Sequence, residues 1–329
     1  LTAKTDTANR DSDIFLKKLR KNFNFSIPSK GDFAFKFITL LSATCIPIFM
    51  GLIFYELISN SAVSINQLGW NFLVEKTWDP VHKIFGALPF IYGTILSSAL
   101  ALVIAIPVSL GIAIYLSEFS PKWLSVPLSF IVELLAAIPS VIYGLWGIFV
   151  LIPWLSSVVE PTLAMFLGLL PLFQGPQYGY GMLAGGLILA IMIIPTISAV
   201  SREALAAVPN SQREASFALG ATKWETIQIV VIRYSRSGII GATVLGLGRA
   251  LGETMAITMV IGNRPEISPS LFAPSYTMAS VIANEFAEAT YKLYTSALIE
   301  IGLLLLIITI LVNIFARLLL WRVKPVQKE

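Results

Sequence analysis

An arginine and two glutamates stand where apolar sequence surrounds them. Arg249 and Glu253 lie four residues apart in the stretch 245–256, and Glu133 sits inside a second apolar run. Counted along a helix, Arg249 is 13 residues beyond Arg236 and Glu133 is 11 residues beyond Lys122, about 20 and 16 Å. An ionised group at the centre of a bilayer costs about 2.5 kcal/mol or more, and it persists where a partner or a function offsets that cost. A guanidinium stays charged and presents a planar fork that matches the oxygens of an oxyanion. The same i,i+4 spacing also lets Arg249 and Glu253 neutralise each other at a helix interface. Both readings stand on the residues alone. Glu300, only a few residues from the end of its apolar run, is a weaker candidate.

Little other chemistry is available. One cysteine, Cys45, and one histidine, His82, exclude an internal disulfide and a His-rich metal or haem site. No nucleophile–base set occurs in the apolar runs, so no catalytic residue and no metal ligand is assigned. The phosphate-loop pattern Gly-x-x-x-x-Gly-Lys-Ser/Thr is absent, and the chain is expected to hydrolyse no ATP by itself.

Composition says what must position these charges. The chain has 329 residues, 56% hydrophobic and 13% charged, with mean hydropathy +0.79. Soluble globular chains carry about 25% charged residues. Half that charge cannot cover a chain of this size with water-compatible surface, which excludes a soluble enzyme, a disordered chain and a nucleic-acid-binding domain. A spanning helix needs about 20 apolar residues. Six stretches qualify: 35–58, 88–116, 124–152, 182–200, 237–261 and 297–320. A seventh run, 162–173, is too short and is bracketed by Pro161 and Pro171; it reads as an outer-face or re-entrant helix. The expected fold is an all-α polytopic membrane protein with six transmembrane helices. With the N-terminus inside, 18 Lys/Arg fall on the inner side and four (Lys76, Lys83, Arg264, Lys292) outside, which places both termini inside. Residues 1–34 then form a basic inner tail, in which 14–20 suits a short helix on anionic lipid. Residues 35–329 form the membrane domain, with a polar inner loop over 201–236.

That loop is patterned as helix, break, short helix, glycine, helix. Pro209-Asn210 stops the first helix, and Ser211–Glu214 has the spacing of a capping box. The short helix ends at Gly220, and Thr222–Glu225 is a second capping box. So short a helix is marginal alone in water. Its firmly encoded ends make sense if something packs on it: Ala215 and Ser216 allow close approach, while Phe217 and Leu219 supply anchors. An ordinary connector resting on its own bundle is the alternative.

Here the chain resembles the permease subunits of bacterial ABC importers, whose inner loop carries Glu-Ala-Ala, three residues, Gly, nine residues, Ile-x-Leu-Pro. This chain has Glu214-Ala215-Ser216, then Gly220, then Val230-Val231-Ile232-Arg233, with Arg233 where the family usually has Pro. The stretch 245–256, with Ile261-Gly262-Asn263 and 283–289, resembles the PstC-type permeases of phosphate importers. The resemblance implies a type I ABC importer permease fold in the inner (cytoplasmic) membrane. It makes Glu214, Ala215, Ser216, Phe217, Leu219 and Gly220 the coupling segment seated on a separate ATPase. It implies further partners: two ATP-binding subunits, a second permease of PstA type and an external phosphate-binding protein. ATP is then bound by those partner subunits, and this chain needs no cofactor. Arg249, Glu253 and Glu133 become candidates for the substrate path, where a carboxylate accepting a phosphate O–H would discriminate against sulfate, which has none. Gly248 and Gly252, a small-xxx-small pair, become the interface with the second permease. A permease for sulfate or molybdate, and a proton-coupled carrier using Glu133, Glu253 and Glu300 as a relay, are the competing expectations.

Overall fold

A computed structural model describes residues 30–322; the expected interfacial helix over 14–20 lies outside them. The chain divides into two compact units at 56/57. Of the first unit the described part is the leading portion of helix α1 (Lys30–Leu68), whose side chains from Phe33 to Tyr55 are exposed. The second unit holds the rest: α2 (Leu88–Ile114, prolonged by a π-turn Tyr115–Phe119), α3 (Lys122–Ala136), α4 (Ser140–Leu167), α5 (Met182–Ala206), α6 (Asn210–Ala218), α7 (Lys223–Leu251), α8 (Met255–Val260), α9 (Met278–Glu285) and α10 (Lys292–Arg322). Among the described residues six helices are long and apolar enough to cross a membrane: α1, α2, α4, α5, α7 and α10.

α5 is the axis of the second unit. Two thirds (67%) of its apolar stretch is buried, against 22–28% for α2, α4, α7 and α10. Ile188, Leu189, Met192, Ile193 and Ile197 of α5 form one core with Ala101 and Ala105 of α2, Leu151 and Leu155 of α4, and Ala242 and Ala250 of α7. Small residues on the flanking helices let their backbones close on the branched side chains of α5. Arg202, Arg213 and Arg236 gather at one end of the bundle, here termed the basic end. At the far end Trp78, Phe85, Phe90, Tyr276 and Tyr294 form an aromatic cluster, with Trp78 edge-on to Phe85 and Phe90 at ring centroids 4.9 and 5.0 Å.

Three expected boundaries are corrected. The run 124–152 is two helices, because the chain bends at 137–139 ahead of Ser140, where Pro139 breaks the ladder. The short run 162–173 is no separate helix at its start: α4 runs on through Pro161 to Leu167. The expected span 237–261 begins earlier, at Lys223, and stops at Leu251, where Gly252–Thr254 interrupt it.

Prolines explain the irregular turns within α4. A proline has no N–H and its ring collides with the carbonyl four residues back. The π-turn Tyr115–Phe119 is the last turn before the chain becomes extended at Ser120, whereas π-turns over Gly147–Leu151 and Leu155–Val159 end two residues before Pro153 and Pro161. The wider turn moves the carbonyl away from the ring. A fourth π-turn, Ile227–Val231, ends two residues before Arg233, and the helix goes on after it to Leu251.

One close approach tests this packing. A Cβ on Gly93 of α2 would lie 2.2 Å from the Tyr276 carbonyl oxygen, whereas one on Gly111 meets nothing within 4 Å. Gly93→Ala should destabilise the detergent-solubilised chain by about 1–3 kcal/mol. Gly111→Ala should instead stabilise it by up to about 1 kcal/mol through helix propensity. Thermal unfolding followed by tryptophan fluorescence distinguishes the two.

Candidate functional site

Two interruptions of the spanning helices meet beside the middle of α5. At the first, between α3 and α4, the Tyr143 hydroxyl donates at 2.8 Å to the Leu135 carbonyl, which otherwise receives a longer bond of 3.4 Å from the Ile138 N–H at the end of α3. The second lies between α7 and α8. There Arg249, in the last turn of α7, donates to Thr196 Oγ1 of α5 at 3.2 Å. Glu253 stands in the break itself, and its Oε1 accepts the Ala256 N–H at 3.2 Å. α8 then packs on α4, where a Cβ on Gly144 would come within 3.2 Å of the Ala256 Cα. Tyr143 of α4 lies within electrostatic reach of Arg249.

This geometry revises the i,i+4 reading. Arg249 and Glu253 are not on one helix face, because α7 ends at Leu251. Glu253 caps the helix after the break, and Arg249 has Thr196 as its partner. Among the described residues Arg249 forms no ion pair. What results is a half-buried guanidinium without a carboxylate, at a helix C-terminus whose partial negative charge favours it. Non-helical backbone at membrane depth occurs where it is buried in protein or lines a watered cavity. Such a place can hold an anion against a fixed positive charge.

Glu133 is elsewhere. It lies on α3 and pairs with Arg202 of α5 at 2.9 Å, with 54% of its side chain exposed. The bend at 137–139 turns α3 across the basic end, so counting residues from Lys122 overstated its depth. The pair lines a cavity of about 600 Å³ with Ser125, Ser129 and Glu203. Glu300 is buried in α10, eight residues from Lys292 at the far end. Glu133 and Glu300 therefore occupy opposite ends of the bundle rather than neighbouring steps of one relay. Residue counting also missed Glu160, buried in α4, which accepts the Gly179 N–H at 2.9 Å; a lone Glu before Pro161 carries no signal for that.

The inner loop forms largely as patterned. Gly220 takes φ +84° and closes α6, and the Ala221 N–H bonds the Ser216 carbonyl at 3.2 Å, a C-terminal stop that favours glycine. Thr222 and Glu225 make the second capping box reciprocally. The first box is not made: α6 begins at Asn210, Pro209 occupies the cap, and no side chain caps it. Glu214, Ala215, Phe217, Leu219 and Gly220 are exposed and Ser216 is half-buried, with Phe217 47% and Leu219 90% accessible. The two anchors therefore do not rest on the chain's own bundle. Gly248 has open space where a Cβ would stand, and Gly252 meets only the Gly248 carbonyl at 3.7 Å. Gly238 and Gly246 of the same helix are instead filled by Ala204 and Ile197.

His82 is engaged in a turn. Its ring and its backbone N–H both bond Asp79, and those hydrogen bonds, the ring's first, hold the Asp79 carboxyl below its ordinary value.

The family model for the binding-protein-dependent transport system inner membrane component matches residues 105–325. The phosphate transport system permease protein PstC of Mesorhizobium japonicum is 46% identical over 296 residues, covering 89% of this chain and 90% of its own. That of Haemophilus influenzae is 46% identical over 316 residues, covering 95% and 99%. A probable PstC of Methanocaldococcus jannaschii is 38% identical over 286 residues, covering 85% and 90%. In solved structures, a bacterial ABC transporter that imports the acidic polysaccharide alginate matches at TM-score 0.59 and 19% identity, over 91% of this chain and 100% of that one. The inward-facing MetNI methionine ABC transporter matches at TM-score 0.52 and 17% identity, over 76% and 100%.

Replacing Thr222 by Val removes the hydroxyl that accepts the Glu225 N–H. The amides of Glu225 and Thr226 should then exchange several-fold faster, while those of α5 stay unchanged. Hydrogen-exchange mass spectrometry reads both.

Proposed function

As a member of the binding-protein-dependent transport system inner membrane component family, and within it of the PstC permeases, the chain is a multi-pass membrane component of an ABC importer, and we propose that inorganic phosphate crosses the membrane past its Arg249. The observation that carries this reading is a guanidinium without a carboxylate partner, held at the break between α7 and α8. A phosphate arriving there meets the fork of Arg249 and the Thr196 hydroxyl. Glu253 uses Oε1 on the Ala256 amide, which leaves Oε2 to accept the O–H of a protonated phosphate. Sulfate has no proton to offer, and the carboxylate would repel it.

In this reading both termini face the cytoplasm, so the basic end is inner and the aromatic far end is outer. The path is completed by a second permease of PstA type, approaching at Gly248 and Gly252, whose Cβ positions are open in this chain. The Glu133–Arg202 pair and its cavity lie at the inner mouth of the path. An external phosphate-binding protein delivers substrate to the outer face. The chain holds no cofactor; ATP is bound and hydrolysed by two separate subunits. The exposed segment Glu214–Gly220 seats on one of them, with Phe217 and Leu219 as anchors. Movement of α6 there reorients α7 and with it Arg249.

The test is phosphate uptake into vesicles holding this chain with its co-purified partners, with binding protein added, ATP present or absent, sulfate as competitor and a protonophore. ATP-dependent uptake that ignores sulfate and the protonophore is expected. ATP-independent uptake that collapses with the protonophore would overturn the proposal in favour of proton coupling. Arg249→Gln and Arg249→Lys should each lower uptake at least about 100-fold with assembly intact, because a point charge does not replace the fork. Glu253→Gln should lower the preference for phosphate over sulfate about tenfold while uptake persists; unchanged preference would remove Glu253 from the selectivity.

A further inference from the structure

The exposed helix α6 is joined to the ends of α2 and α5 through the side chain of Arg213. The Arg213 guanidinium donates to the Leu205 carbonyl at 3.0 Å and to the Val208 carbonyl, both at the end of α5. Its NH2 also reaches Glu118 Oε1 at 2.8 Å, with the two side chains only 16% and 10% exposed. Glu118 belongs to the π-turn Tyr115–Phe119 that ends α2. One planar fork therefore closes the C-terminus of α5, ties α6 to it, and joins both to α2. The geometry suits arginine, whose five donors lie in a fixed plane, and a lysine could not reproduce it.

A second contact reaches the same π-turn from the other side of Gly220. Lys223, at the start of α7, lies over the Phe119 ring with its Nζ 4.8 Å from the centroid, a cation–π distance. Ser216 Oγ and Thr226 Oγ1, 2.9 Å apart, lock the two arms of the loop together. Adjacent residues of one turn, Glu118 and Phe119, are thus held by cations from α6 and from α7. A π-turn is a wide turn with altered hydrogen bonding, and helices commonly deform there.

We propose that Arg213 and Lys223 form a two-sided grip on the π-turn 115–119, so that displacement of α6 is passed to α2 as well as to α7. Arg213 is a positioning residue: it touches neither substrate nor nucleotide, and it sets how far α2 follows the loop. This inference rests on the reading of α6 as the segment seated on an ATPase subunit. It adds α2 as a receiver of the movement and names the residues that receive it.

Arg213 itself is a poor target, because removing it uncaps α5. Glu118→Ala and Phe119→Leu leave the carbonyl bonds of Arg213 in place and release only the grip. In the complete transporter, hydrogen exchange would be followed over 210–226 and 113–120 with and without ATP plus vanadate. In the wild type both segments are expected to respond. In Glu118→Ala/Phe119→Leu the response over 210–226 should persist, while that over 113–120 falls by at least about threefold. Phosphate taken up per ATP hydrolysed should fall about fivefold in the double variant and less in each single one. A response over 113–120 that survives in the double variant, or that never occurs in the wild type while 210–226 responds, overturns the grip and leaves the importer reading standing. An unresponsive 210–226 in the wild type overturns the seating of α6 on an ATPase, and the grip with it.

Discussion

Hydrocarbon offers a backbone amide no partner, and that constraint bears on both breaks described beside α5. Helices satisfy it within themselves, so the places where helix stops at depth need another donor or acceptor. At the end of α3 the Tyr143 hydroxyl serves the Leu135 carbonyl. At the start of α8 the Glu253 carboxylate serves the Ala256 amide. Ahead of Pro153 and Pro161 in α4, π-turns widen the ladder instead of breaking it. At both breaks a polar side chain lies beside backbone that the ended helix does not satisfy by itself.

The same constraint explains why α5 is the axis. A helix surrounded by others needs no polar face, and α5 is apolar nearly all round until it reaches Arg202 at the basic end. α2, α4 and α7 each give it one flank and keep another free. A free flank rich in glycine, as on α7 at Gly241 and Gly248, suits a neighbouring helix better than lipid, since a close backbone approach yields contact that acyl chains do not.

Much of this was legible in the residues. Apolar run length gave the number of spanning helices and the approximate position of five, because a 20-residue hydrophobic stretch has few alternatives. The second capping box and Gly220 were legible since both ends are encoded by local chemistry that no tertiary contact overrides. Depth was less legible. Counting from Lys122 put Glu133 mid-membrane on the assumption of one straight helix, and the bend at 137–139 moved it to Arg202. The break at 252–254 was hidden for a related reason: apolar residues resume at Met255, so three polar or small residues read as a short lapse within one span, whereas the helix ends at Leu251 and restarts at Met255. The first capping box failed because Pro209 already held the cap and Ser211 fell one residue inside the helix. Arg233, in the position where the resembling family has Pro, follows the π-turn Ile227–Val231 by two residues and lies within α7.

The length of α7 has a geometric consequence. From Lys223 to Arg249 there are 26 residues, about 39 Å of helix, with the capped loop at one end and the unneutralised guanidinium at the other. A tilt of only about 5° at the base sweeps the Arg249 end through about 3 Å. That is the length of its hydrogen bond to Thr196, 3.2 Å. On a helix of this length a small change of tilt at the base is comparable, at the Arg249 end, with the whole reach of that hydrogen bond.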